Sequence, residues 1–188
     1  MLPRLPSFFH HLSSGPVTLA AFITFFLFIG LIMPGQSARM EAITHGAGSP
    51  DTSFFYSKDD LYRMADAYGE AGRAAYVCVR FTFDLIWPLV YLFFLGTSLS
   101  WSLARVLAEG NRWRMLNLFP AFGWLFDMLE NIAASVVMLN YPSRTPVVDS
   151  LTPIFTLLKW FFLNGSFVIL VLALLFALWR RTRPVRQV

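Results

Sequence analysis

Charged side chains interrupt three long apolar stretches of this chain, and they are the residues best placed to do chemistry. A charge at the centre of a bilayer costs about 2.5–3.5 kcal/mol on insertion scales, so such residues normally face the interior of a helical bundle and mark a functional site. The five ionisable residues within the apolar stretches are Arg80, Asp84, Asp127, Glu130 and Lys159. Because charges in contact with lipid tails are costly, we predict that these five side chains meet one another in the interior of the bundle.

The polar residues of each stretch fall on one helical face. Side chains three or four positions apart are neighbours on a helix, and the spacing within all three stretches follows this rule. The three faces carry Arg80, Asp84, Pro88 and Tyr91; Asp127, Glu130 and Asn131; and Thr152, Thr156 and Lys159. Three polar faces on three helices are most simply joined in one interior site.

The depth of the charges supports the same conclusion. Counted inward from the ends of the stretches at 1.5 Å per residue, all five lie roughly 10–20 Å deep, between one interface and the midplane. We therefore predict one intramembrane polar site, which opens towards that interface. Its predicted members are Arg80, Asp84, Tyr91, Asp127, Glu130, Asn131, Thr156 and Lys159.

The predicted site has an unbalanced charge, with two cations against three carboxylates. Either one carboxyl group is protonated or a bound cation completes the balance. Burial and a like-charged neighbour both favour the neutral form of a carboxyl group. Asp127 and Glu130 lie one turn apart, so we expect one of them to hold a proton near neutral pH.

Three functions are compatible with such a site. The first is an outward-facing polar pocket for a lipid headgroup, an ion or a small solute. In the second, ion pairs only fix helix packing, in a structural or assembly subunit of a membrane complex. The third is an intramembrane enzyme that uses Asp127 or Glu130 as general acid or base. Ser135 and Ser166 have no histidine beside them, so a nucleophilic hydrolase is not indicated, and we favour a protein that is not an enzyme.

Metals and cofactors are not expected. No histidine falls within an apolar stretch, which argues against di-iron and haem sites. Arg80 and Lys159, at the depth of the carboxylates, would repel a metal ion. The same two cations could instead hold an anionic headgroup by charge-assisted hydrogen bonds.

The composition is that of a membrane protein. Of the 188 residues, 56% are apolar and only 14% are charged, whereas soluble domains carry about 25% charged residues. The formal charge is +4, but the basic residues flank the apolar stretches and form no basic face, so no nucleic acid partner is expected. The lone Cys78 excludes an intrachain disulfide and a CxxC redox pair.

Four stretches are long enough to cross the roughly 30 Å apolar core of a bilayer. They cover about 17–33, 74–101, 115–139 and 151–179. We predict an all-α integral membrane four-helix bundle that forms a single domain over 1–188. Gly15-Pro16 and Pro34-Gly35 bound the first span, and Pro88 and Pro120 are expected to kink the second and third.

The loops predict the orientation, because Lys and Arg are enriched on the cytoplasmic side. One side carries Arg4, Arg105, Arg112, Arg114, Arg180, Arg181, Arg183 and Arg186, whereas acidic residues prevail in the opposite loop, 34–73. Both termini are therefore expected in the cytoplasm, across a membrane of the bacterial inner type. The expected partners are the bilayer, a lipid or small-solute ligand, and another membrane protein.

The long outer loop has two parts. Residues 34–56 are rich in Gly, Ser and Pro and are expected to be irregular, whereas residues 57–70 predict a short amphipathic helix. Ser57 and Asp60 have the spacing of a capping box. Leu61, Ala65 and Tyr68 then fall on one apolar face. This helix either lies on the outer leaflet or packs on the bundle.

Overall fold

The computed structural model describes residues 13–182, and every long element within them is helical. The helices are α1 (Gly15–Leu27), α2 (Met33–Thr44), α3 (Lys58–Arg80), α4 (Phe83–Val106), α5 (Phe119–Asn140) and α6 (Val148–Thr182). Short helical turns occupy Phe28–Ile32, Pro50–Thr52 and Arg112–Leu118. Arg4, Arg183 and Arg186, on which part of the orientation prediction depends, lie outside the described residues.

Four helical segments are long and apolar enough to cross a membrane, which confirms the predicted all-α four-helix bundle. They are Gly15–Thr44, Lys58–Val106, Arg112–Asn140 and Val148–Thr182. Large apolar side chains stay exposed along their outer faces, as Leu31, Phe161 and Leu172 do. Contiguous exposed apolar surface of this kind suits contact with lipid tails.

The first span is longer than predicted, and the prediction of an irregular segment over 34–44 is wrong. Pro34 does not end the helix, because it lies in the first turn of α2, where the backbone N–H that proline lacks is not required. The π-helical turn Phe28–Ile32 joins α1 to α2 across this point. The helix ends instead at Thr44, because the next residue, His45, is left-handed with φ of 52°, and Gly46 follows with φ of 76°.

The predicted capping box at the start of α3 is present. The Asp60 N–H donates to Ser57 Oγ at 3.2 Å, and the Ser57 N–H donates to Asp60 Oδ2 at 2.8 Å. The helix is longer than the predicted 57–70, because it continues past a local distortion at Gly69 to Arg80. Its apolar face packs on α5, through a core that includes Tyr68 and Val137.

The second span was predicted to be one continuous helix, but the structure shows an interruption. It breaks at Phe81–Thr82, between Arg80 at the end of α3 and Asp84 in the first turn of α4. Pro88 lies inside α4, as expected. The expectation for Pro120 is wrong, because this residue lies in the first turn of α5, where proline is tolerated.

Two apolar cores flank the predicted polar site. The first joins α1, α4 and α6 and contains Tyr91, and the second joins α3 and α5 and contains Tyr76.

The bundle has two distinct ends. At one end Arg144 pairs with Asp59, so the α5–α6 connection meets the start of α3. At the other end Arg180 donates to the Val106 carbonyl oxygen at 3.2 Å, so α6 ends beside the end of α4.

Candidate functional site

The structure brings the eight predicted site residues into the interior of the bundle. None of them is more than 6% exposed. The charged members converge on two centres, one around the Lys159 ammonium and one around the Arg80 guanidinium. We call the charged group formed by Asp51, Arg80, Asp84, Asp127, Glu130 and Lys159 the ionic cluster.

Lys159 lies at the first centre, in a cage of carboxylates. Its Nζ is 2.6 Å from Glu130 Oε2 and 3.7 Å from Asp127 Oδ1. The i, i+3 spacing of Asp127 and Glu130 puts both on the face of α5 that meets α6. The third carboxylate is Asp51, whose Oδ1 lies 2.7 Å from the same Nζ. An almost fully buried ammonium is thus matched by three acids.

Arg80 forms the second centre. Its Nε lies 2.8 Å from Asp84 Oδ2, so this i, i+4 pair forms although the helix breaks between the two residues. Its Nη1 lies 3.4 Å from Asp51 Oδ2 and donates to Asn131 Oδ1 at 3.5 Å. The guanidinium carbon lies 4.7 Å from the centre of the Tyr76 ring. The guanidinium is therefore held from four sides.

Asp51 joins the two centres, and sequence reasoning missed it as a site residue. It lies in the helical turn Pro50–Thr52, outside the spans, and its side chain is 32% exposed. Burial alone would raise the pKa of Asp51, but the positive charges of Lys159 and then Arg80 outweigh it and hold the pKa well below the ordinary value. Asp51 is therefore ionised at neutral pH.

The ionic cluster is more acidic than the sequence predicted. With Asp51 it holds four carboxylates against two cations, a formal excess of two negative charges. Either protons or a bound cation must offset this excess. The expected proton on Asp127 or Glu130 stays a prediction.

Tyr91 and Thr156 lie at the margins of the cluster. The Tyr91 hydroxyl donates to Asp127 Oδ2 at 2.8 Å, which ties α4 to α5. Thr156 shares a 2.8 Å hydrogen bond with the Tyr56 hydroxyl and lies one turn from Lys159. Burial, followed by the negative charge of Glu130, raises the pKa of Tyr56, so this phenol stays neutral.

A metal ion could be held by Asp51, Asp127 and Glu130, which have carboxylate oxygens within 4.8 Å of one another. Hard cations prefer such oxygen ligands. In this protein, however, the Lys159 ammonium lies among those same three carboxylates. A metal ion would have to displace or deprotonate the lysine.

A cavity of about 300 Å³ reaches the ionic cluster from the side of α2. Three cluster members, Asp51, Arg80 and Asp84, line one wall. Apart from Glu41, the residues of the other walls are apolar or uncharged, and we call the whole space the α2 cavity. Its other lining residues include Met33, Gln36, Ser37, Met40, Glu41, Thr44, Ser49, Thr52, Val79, Phe83 and Trp87.

Several buried polar atoms have no hydrogen-bond partner among residues 13–182, and three of them belong to uncharged side chains of α3 and α5 near the cluster. They are the Tyr76 hydroxyl, Asn131 Nδ2 and Ser135 Oγ. All three residues are at most 2% exposed, and they belong to the facing helices α3 and α5. Buried polar groups in proteins are almost always satisfied, commonly by ordered water.

No family model matches this chain, and neither a curated protein nor a solved structure is significantly similar to it.

Proposed function

We propose that this protein binds an amphiphilic small molecule or lipid, with the polar head of the ligand at the ionic cluster. The observation that carries the proposal is the mixed lining of the α2 cavity. Asp51, Arg80 and Asp84 form a charged wall, and Met33 and Trp87 contribute to an apolar wall. Its volume of about 300 Å³ is at the lower end of the range for small-molecule sites.

The composition of the cluster favours this function over a purely structural one. If the charges served helix packing alone, cations and carboxylates should balance in a filled interior. Instead the carboxylates are in excess, and Asp51 and Asp84 border an open space. Isolated polar contacts between membrane helices also average below 1 kcal/mol, so they add little packing energy.

The enzyme alternative has less support from the geometry. Its proposed general acids and bases are Asp127 and Glu130. Neither is among the described residues that line the α2 cavity. Both contact Lys159 instead, which suits a role in holding the ammonium.

The cavity side of the bundle is proposed to face outward across a bacterial inner membrane, with both termini cytoplasmic. The support is that Asp51 belongs to the acidic loop side, whereas Arg105, Arg112 and Arg114 flank the opposite end. Cysteine labelling in a Cys78→Ser background tests this orientation. A membrane-impermeant maleimide should label Ala47→Cys in intact cells and Glu109→Cys only after permeabilisation, and the reverse pattern would refute the orientation.

Native mass spectrometry combined with lipid analysis tests the binding function. Wild-type protein should retain an amphiphile that Trp87→Ala loses, because Trp87 belongs to the apolar wall. Leu172→Ala is the matched control, since Leu172 lies on the outer face of α6 and is 60% exposed. A ligand retained equally by wild type and Trp87→Ala would contradict the proposed cavity. A stoichiometric protein partner with no amphiphile would favour the structural alternative.

A further inference from the structure

The α2 cavity has a negative wall. Four ionisable residues line it within the described part of the chain, and three are acids: Glu41, Asp51 and Asp84. Arg80 is the single cation among them. Three of these four residues belong to the ionic cluster, so the cavity shares its excess of carboxylates.

Arg80 offsets this excess only in part, because Nε and Nη1 of its guanidinium already face protein partners. Asp84 contacts its Nε, and both Asp51 and Asn131 contact its Nη1. A bound phosphate would have to displace these partners and would lie against three carboxylates. The notion that Arg80 and Lys159 hold an anionic headgroup therefore loses its support, since Lys159 is also surrounded by acids.

The apolar wall of the cavity is held in place by aromatic packing. Phe83 and Trp87 both stack on Phe28, with ring centroids 5.7 and 5.5 Å apart. Trp87 also stacks on Phe25 at 5.6 Å. This fixed apolar surface lies next to Asp51 and Asp84, whose carboxylates are held by ion pairs, so the cavity is pre-organised for a ligand that has an alkyl chain on a cationic head.

We propose that the ligand of the α2 cavity carries its positive charge on an ammonium head joined to an alkyl chain. This inference rests on the proposed binding function and specifies its ligand class. The ammonium lies against Asp84 and Glu41, and the chain runs along Met33 and Trp87. Such an ammonium group offsets part of the negative excess, which a head without an ammonium group leaves in place. The ammonium group can belong to an amine-bearing phospholipid or to a free cationic amphiphile.

Matched detergents test the head charge. Purified full-length protein in dodecyl maltoside is titrated with dodecyltrimethylammonium, dodecylamine or dodecyl phosphate, and binding is measured by calorimetry. The two cationic probes should bind at least tenfold more tightly than dodecyl phosphate. Glu41→Gln, at an exposed lining residue, should weaken the cationic probes about tenfold, as expected for loss of one contact between opposite charges. Glu70→Gln, an exposed acid outside the cavity, is the control and should leave the Kd unchanged.

The outcomes separate the two proposals. Equal or tighter binding of dodecyl phosphate, with loss in Trp87→Ala, overturns the ammonium inference and keeps the amphiphile function. Binding of all probes that is insensitive to Trp87→Ala, or no binding, overturns both.

A second arm identifies the source of the head. Nanodiscs that mix phosphatidylethanolamine and phosphatidylglycerol are exchanged onto the protein, and the retained lipid is measured. Selective retention of phosphatidylethanolamine supports the inference with a lipid ligand. Tight binding of dodecylamine without lipid selection supports it with a free amphiphile, whereas selective retention of phosphatidylglycerol counts against it.

Discussion

The Nζ of Lys159 lies 2.7 Å from Oδ1 of Asp51 and 3.4 Å from the backbone oxygen of the same residue. This contact ties α6 to the loop between the first two spans, 108 positions away in the chain. Two neighbouring contacts fasten the same loop: Tyr56 to Thr156 at 2.8 Å and Phe54 to Trp160 with ring centroids 4.8 Å apart. The loop is thereby held over the ionic cluster by one segment of α6.

Asp51→Asn should loosen this loop. The substitution removes the charge that contacts both Lys159 and Arg80, so we expect a loss of about 1.5–3 kcal/mol of stability, the range for hydrogen bonds to charged groups. Hydrogen–deuterium exchange should increase over 45–57. Asp59→Asn is the control, because its ion pair with Arg144 is 68% and 57% exposed and such surface pairs contribute about 0–1 kcal/mol. Equal exchange in both variants would contradict the fastening role of Asp51.

The same contact makes stability depend on pH. The pKa of Asp51 is lower in the folded protein than its ordinary 3.8, so the folded state favours the ionised form. The stabilisation is fully present above that ordinary value and is lost as the pH falls towards the folded-state pKa. The Tm difference between wild type and Asp51→Asn should therefore stay constant from about pH 7 to 5 and shrink below about pH 4. A difference that grows on acidification would refute this assignment.

Lys159→Ala should convert the carboxylate cage into a cation site. Removing the ammonium leaves Asp51, Asp127 and Glu130 with oxygens within 4.8 Å of one another, and breaking a buried pair typically costs about 3–5 kcal/mol. Millimolar Ca²⁺ or Mn²⁺ should restore part of the lost Tm, because these ions accept carboxylate ligands. Wild type and Lys58→Ala should show no such rescue. An equal response of all three proteins would show that the cage does not bind the ion.

Tyr76→Phe and Ser135→Ala test whether water satisfies the buried groups between α3 and α5. If ordered water pairs with these hydroxyls, each substitution should lower stability by about 1 kcal/mol, measured by chemical denaturation. Removing a hydroxyl that is truly unsatisfied would raise stability instead. Tyr68→Phe is the reference, since the Tyr68 hydroxyl donates to the Gly48 carbonyl oxygen at 2.6 Å. Increased stability in both test variants would exclude the water.

The helical periodicity of the chain was enough to predict the architecture and most of the cluster. An apolar stretch can bear a charge only if that side chain turns inward, so the spacing of Arg80 and Asp84, or of Asp127 and Glu130, fixes which helix faces meet. The excess of carboxylates was also visible in the sequence. These inferences depend on short-range geometry, which a helix makes regular.

The errors came from features that helical periodicity does not encode. Asp51 reaches the cluster through the folding of a loop, and the predicted site already had an excess of acids, so charge balance gave no reason to add another. Pro34 looked like a helix end, but a proline in a first turn costs no hydrogen bond once a π-helical turn precedes it. The sequence next to the interruption at Phe81–Thr82 contains no Pro or Gly, the residues that usually mark a helix break.

That interruption has a mechanical consequence. The helices α3 and α4 are separate and are joined at Phe81–Thr82. The ion pair between Arg80, the last residue of α3, and Asp84, in the first turn of α4, therefore connects the two helices across the interruption. Residues of both helices line the α2 cavity. A change in the angle between α3 and α4 would therefore change both the width of the cavity and the position of the Arg80 guanidinium within it. A ligand that holds the cavity at one width would then also hold the angle between α3 and α4.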